Sequence, residues 1–283
     1  GHNDVGKEKI SQIFADIFNT EDAFVSPLIS CGTEAISQSL FGILRPGDTM
    51  LSISGKPYDT LKNIIHGVEG KNVGSLKDYS INYSEIELVN NDFDIPAILK
   101  AIKDLNPKIA YIQRSRGYEL RDAFTCEEIG EICAYVRSLG FKGCIFVDNC
   151  YGEMVERVEP CEVGADLIIG SLIKNLGGGI AETGGYIVGT KKCVELCSYR
   201  LTCVGMGKEV GCTLNQSRGM FMGVFLAPQT VAAAVKTATF AAELFSLLGF
   251  ETFPKKSETR SDIITAIKLQ NEENLTAFCE GIQ

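Results

Sequence analysis

Histidine is nearly missing: the 283 residues include two, His2 and His66. A zinc-type centre usually draws on several imidazoles and a Ser-His-Asp triad needs one beside its nucleophile, so both classes are disfavoured. Basic charge is in deficit, with 27 Lys and Arg against 36 Asp and Glu and a formal charge of −9. No Lys/Arg cluster offsets that deficit, and neutralising the phosphates of a nucleic acid requires one, so nucleic acid is not expected as a partner. A membrane span needs an apolar run of about 20 residues. The nearest stretch, Met220 to Phe250, is interrupted by Pro228, Gln229, Lys236 and Glu243 and reads as a buried helix. Residues Gly1 to Lys7 lack the basic-then-apolar order of a signal peptide, and no membrane association is expected. Also missing are any C-x-x-C pair, any G-x-x-x-x-G-K-[ST] phosphate loop, internal repeats and low-complexity tracts.

What remains is an ordinary globular composition, 45% hydrophobic and 22% charged, long enough for one large domain or two smaller ones. Eleven cysteines, an odd number, point to a reducing, cytoplasmic compartment and not to a disulfide framework. Cys133, Cys144 and Cys150 lie in apolar runs and read as small buried hydrophobes. Cys193, Cys197 and Cys203, with no histidine near them, read as core residues and not as metal ligands, and no metal site is expected.

Apolar periodicity alternates between helix and strand, which favours an α/β fold with a mainly parallel sheet. Helices are expected at Lys7–Phe18, Thr33–Leu44, Tyr58–Ile65, Asp94–Leu105, Thr125–Leu139, Lys191–Leu201 and Gly219–Leu248. Thr125 followed three residues later by Glu128 is a capping box. Strands are expected at Thr49–Ser54, Ile81–Leu88, Lys108–Gln113, Gly143–Asp148, Ala165–Gly170 and Gly184–Gly189.

Two strand ends draw attention. Asp148 terminates one apolar strand, and Lys174 follows the next strand 26 residues later. Ligands of open α/β sheets bind beyond the carboxyl ends of the strands, where both residues fall. A lysine amine beside a carboxylate suits pyridoxal phosphate, which needs the amine for a Schiff base and the acid to keep its ring nitrogen protonated. From spacing alone, a turn-capping Asp148 and a solvated Lys174 account for the pattern equally well. Further pieces follow in order. Ser30-Cys31-Gly32-Thr33 opens a helix whose N-terminus suits a phosphate, Ser171 precedes Lys174 by three residues, and Tyr58 stands at a strand-to-helix turn where a ring can stack.

Five segments, Ser-Cys-Gly-Thr-Glu-Ala (30–35), Gly-Lys-Pro-Tyr-Asp-Thr (55–60), Gln-Arg-Ser-Arg-Gly-Tyr (113–118), Val-Asp-Asn-Cys-Tyr-Gly-Glu (147–153) and Ser-Leu-Ile-Lys-Asn-Leu-Gly-Gly-Gly (171–179), together resemble one family. It is the methionine γ-lyase-like, "aluminium resistance protein" branch of the Cys/Met-metabolism pyridoxal-phosphate enzymes of fold type I. The resemblance implies a mainly parallel seven-stranded sheet with flanking helices over residues 1–248 and the start of a C-terminal α+β small domain over 249–283. Relatives continue through that small domain, which usually supplies an arginine for the substrate carboxylate. Carried over residue by residue, Lys174 is the cofactor-binding lysine, Asp148 the ring-nitrogen partner and Tyr58 the stacking tyrosine. Cys31, Gly32, Thr33 and Ser171 match the phosphate cradle. Gln113 and Arg116 fall near the cofactor hydroxyl or the substrate. The implied activity is β- or γ-elimination from a sulfur-containing amino acid by a homodimer or homotetramer. The alternatives are an aminotransferase and a non-catalytic stress-response protein that keeps the cofactor fold.

Overall fold

Side chains cap the helices where the sequence changes character. Asp4 accepts from the N–H of Lys7 at 3.1 Å, and Asp94 from that of Ala97 at 3.0 Å. At Thr125 the capping box is complete, because its backbone N–H donates to Glu128 at 2.7 Å while its hydroxyl oxygen accepts from the Glu128 N–H at 3.1 Å. Each such bond satisfies a first-turn N–H that has no partner within the helix.

A computed structural model describes residues 4–282, so His2 and both chain ends lie outside the described residues. In chain order the elements are α1 (Val5–Ile17), β1 (Asp22–Ser26), α2 (Gly32–Ile43), β2 (Thr49–Ser52), α3 (Asp59–His66), β3 (Asn82–Glu85), α4 (Ile95–Leu105), β4 (Ile109–Gln113) and α5 (Cys126–Ser138). They continue with β5 (Cys144–Asp148), β6 (Leu167–Ser171), β7 (Gly185–Gly189), α6 (Lys191–Leu201), α7 (Ser217–Leu247), β8 (Glu251–Phe253), β9 (Ala266–Lys268) and α8 (Glu272–Ile282). Seven strands form one sheet in the order β1-β7-β6-β5-β4-β2-β3, and β7 alone runs against its neighbours. The expected seven-stranded, mainly parallel sheet with flanking helices is therefore present. A separate antiparallel pair, β8 with β9, follows α7.

Strand residues alternate between faces, and this alternation positions the site. Tyr111 of β4, Phe146 of β5 and Ile169 of β6 share one core cluster with Ile36 and Leu40 of α2 and Val194 of α6. Ala110, Ile112, Ile145 and Val147 face the other way, onto Ile98 of α4 and Ile129 and Ile132 of α5. Two residues beyond the first set come Gln113, Asp148 and Ser171, each the last residue of its strand. In register, Gln113 lies opposite Asp148, and Asp148 opposite Ile169. Three polar side chains are thus brought to one face and one edge of an otherwise apolar layer.

Several expectations are corrected. The strand β1 and the elements β8, β9 and α8 were not legible. The helix α7 is buried along one side only, at Met220, Val224, Ala227, Val231 and Ala242, while Phe225 is 81% exposed, Phe240 67% and Leu247 78%. Its packed side carries small residues, because Gly223 meets the Gly177–Gly178 turn so closely that a Cβ on Gly223 would lie 2.4 Å from the Gly177 carbonyl oxygen. That turn is a packing contact. Of the three cysteines expected in the core, Cys197 is there, Cys193 is half-buried and Cys203 is exposed.

Candidate active site

A cavity of about 1100 Å³ opens at the carboxyl ends of β4, β5 and β6. Thr33, Tyr58, Gln113, Arg116, Asp148 and Lys174 all line it. The sequence-predicted residues thus converge, although up to 141 positions separate them.

The floor is built by the strand ends. Asp148 is 4% exposed, and its Oδ1 accepts from the Cys150 N–H at 3.1 Å. Burial pushes its carboxyl up, while the Lys174 charge and the Cys150 N–H oppose that. Lys174 is half-buried just past β6, with Nζ 4.0 Å from the centre of the Tyr151 ring. Burial disfavours its ammonium, but Cys150, Tyr151 and Asp148 together outweigh burial and hold the group above its ordinary value.

The helix α2 aims its first turn at this floor. Gly32 is buried against Cys150, Ser171 and Lys174, where an added Cβ would lie 2.9 Å from Cys150 Sγ, 3.4 Å from Ser171 Cβ and 4.0 Å from Lys174 Nζ. Any larger residue would fill the space between the helix start and the lysine. Cys31 is the half-buried N-cap, and its side chain makes no capping bond. The first-turn N–H groups lack intrahelical acceptors and present the positive end of the helix dipole, the usual requirement for holding an anion.

Tyr58 and Gln113 form the wall. The Tyr58 hydroxyl and Thr33 Oγ1 share a hydrogen bond at 2.9 Å, and the Tyr58 N–H donates to Gln113 Oε1 at 2.9 Å. Burial and the Asp148 charge keep Tyr58 a neutral phenol by raising it further above neutrality. Behind them Arg121 donates through Nη2 to the carbonyls of Gln113 at 2.8 Å and Ser115 at 2.6 Å, fixing the loop that carries Arg116. Arg116 is 2% exposed, yet its Nε and Nη1 have no hydrogen-bond partner. Its nearest carboxylates are Asp122 at 3.8 Å and Asp262 at 4.0 Å. A buried guanidinium with two unmet donors is costly unless an anion completes it.

The sequence reading missed Cys150 and Tyr151 at this site. Cys150 is buried as expected, but its thiol lines the cavity beside Gly32. Tyr151 adopts a left-handed backbone, φ 71°, which turns its ring over Lys174. Their position directly after Asp148 was the available signal. Lys208 pairs with Asp22.

The methionine gamma-lyase family model matches residues 1–283. The uncharacterised protein YnbB of Bacillus subtilis (strain 168) is 47% identical over 286 residues, spanning 100% of this chain and 67% of YnbB. The crystal structure of a carbon-sulfur lyase involved in aluminum resistance from Clostridium novyi NT superposes with a TM-score of 0.96 at 46% identity, covering 100% of this chain and 67% of that one. The pyridoxal-5'-phosphate-dependent protein YhfS of Escherichia coli is alike in fold, with a TM-score of 0.67 at 17% identity over 93% of this chain and 65% of YhfS.

Proposed function

This chain belongs to the methionine gamma-lyase family, and on that premise we propose that it is a pyridoxal-phosphate-dependent carbon–sulfur lyase acting on a sulfur-containing amino acid by β- or γ-elimination. One observation carries the reading: a lysine and a buried carboxylate meet in one cavity under a helix start that glycine keeps open. The space a Cβ would fill at Gly32 and the unmet donors of Arg116 both fit an anionic cofactor and an amino-acid substrate.

When bound, the cofactor supplies an electron sink for negative charge developing at the substrate Cα. The chain's own residues do the remainder. Lys174 Nζ anchors the cofactor and then takes and returns the Cα proton. Asp148 holds a proton on the ring nitrogen by placing an opposite charge beside it. The first-turn N–H groups of α2, with Thr33 and Ser171, hold the phosphate, and Tyr58 covers a ring face. Arg116, on the cavity wall with Nη1 unmet, takes the substrate carboxylate. Because burial disfavours the Lys174 ammonium, a cation that takes up the Asp148 charge leaves Lys174 readier to give up its proton.

The carbon–sulfur specificity is supported by what the Clostridium novyi relative is named for. Exposed apolar residues on α7 support assembly as a homodimer or homotetramer, and the free thiols support a cytoplasmic setting. The test is borohydride reduction of the chain with pyridoxal phosphate, followed by peptide mapping and assays with cystathionine, methionine and cysteine. Label on Lys174, thiol and 2-oxo acid among the products, and loss of both in Lys174→Ala are expected. Label on a different lysine, or normal turnover by Lys174→Ala, overturns the reading.

A further inference from the structure

At the opposite end of β5 from Asp148 lies a second pocket, of about 550 Å³. Cys144 opens β5, and Cys193 stands in the first turn of α6, whose N-cap Thr190 accepts from the Cys193 N–H at 3.4 Å. The two sulfurs are 3.8 Å apart, and both residues line the pocket. A bonded pair is separated by about 2 Å, so joining them requires a closure of under about 2 Å.

The surroundings are cationic in a chain whose formal charge is −9. Arg45, Lys108, Arg137, Lys142 and Lys192 line the pocket against one carboxylate, Asp166, which Arg137 already pairs. The start of α6 adds the positive end of its dipole. The hydrogen bond with Cys144 is the chief cause that holds the Cys193 thiol down to about 7, against burial, with Thr190 and Lys192 assisting. Burial pushes the Cys126, Cys133 and Cys197 thiols up to about 12, so Cys193 differs from these thiols.

We propose that Cys144 and Cys193 form a redox-active dithiol that exchanges with small disulfides bearing negative charge. The Cys193 thiolate attacks one sulfur of the small disulfide. A protein–ligand S–S bond forms, the ligand's own S–S bond breaks, and one small thiolate leaves and takes a proton from solvent. Cys144 then gives its proton to solvent and attacks the Cys193 sulfur, forming the Cys144–Cys193 bond and expelling the second small thiolate, which is protonated in turn. Two protein thiols lose two electrons and two protons, and the small disulfide becomes two thiols. The cationic lining selects the charge of the partner, and the sulfur contact supplies the resolving thiol.

The test treats the reduced full chain with glutathione disulfide, which carries carboxylates, or with cystamine, which carries ammonium groups, and maps alkylated peptides by mass spectrometry. A Cys144–Cys193-linked peptide is expected, formed about tenfold faster with glutathione disulfide at low salt and with a smaller advantage at high salt. Cys144→Ser should trap a mixed disulfide on Cys193, and Cys193→Ser should leave Cys144 unlabelled. A pair that stays reduced while the exposed Cys203, Cys212 and Cys279 are modified overturns the proposal. Equal rates with the two disulfides overturn its selectivity for anionic partners.

Discussion

Replacing Glu153 by glutamine tests how the buried layer behind the cavity responds to pH. The Glu153 side chain is fully buried, with Oε1 accepting from the Tyr186 hydroxyl at 2.8 Å and Oε2 without a partner. Burial above all lifts its carboxyl from the ordinary 4.5 up to about 8, with hydrogen bonds from a backbone N–H and Tyr186 pulling the other way. Between these two values the unfolded chain has released the proton while the folded chain retains it. The stability that Glu153 contributes is therefore complete below pH 4.5 and is lost as pH rises through about 8. The slope is at most about 1.4 kcal/mol per pH unit, and the whole swing is on the order of 5 kcal/mol. Glutamine keeps the shape and the Tyr186 bond but does not titrate, so Glu153→Gln should melt close to the parent at pH 5 and pull ahead as pH rises. At about 2 °C per kcal/mol for a chain of this size, the lead near pH 8 should reach about 6–10 °C. Thermal melts followed by circular dichroism at several pH values read this directly. A fixed offset between the two proteins at every pH would refute the argument, because it would mean that Glu153 is ionised in the fold throughout.

Two further substitutions probe the cavity. Gly32→Ala sets a methyl 2.9 Å from Cys150 Sγ and is expected to weaken pyridoxal phosphate binding about 10- to 100-fold by spectroscopic titration. Cys150→Ala in the same chain should recover much of that loss, and equal weakening in the single and double variants contradicts the steric account. Arg116→Ala should leave cofactor affinity near the parent value and raise KM for an amino-acid substrate by about 10- to 100-fold, since a single charged hydrogen bond contributes about 1.5–3 kcal/mol. An unchanged KM removes Arg116 from the carboxylate site.

Much of the architecture was written locally. The Thr125–Glu128 box needs contacts three residues apart, and the Cys144–Asp148 strand is a continuous apolar run because parallel strands are covered on both faces. Strand period and strand ends were enough to nominate Asp148 and Lys174, and five motifs in order supplied the family. The strand β1 escaped notice because Asp-Ala-Phe-Val-Ser lacks a clear alternating pattern, and it becomes a strand by pairing with β7, with Phe24 opposite Ile187. The exposure of α7 was hidden because apolar content does not say which face finds a partner. Tyr151 over Lys174 depends on a left-handed turn at an ordinary tyrosine, which no residue preference announces. The gap between Gly32 and Cys150 and the contact between Cys144 and Cys193 join residues 118 and 49 positions apart. Short-range hydrogen bonding and periodic burial are recorded in neighbouring residues, so the sequence by itself determined the family and the elements other than β1, β8, β9 and α8. Which side chains meet, and at what charge, depends on long-range packing, and that was decided only by the tertiary structure.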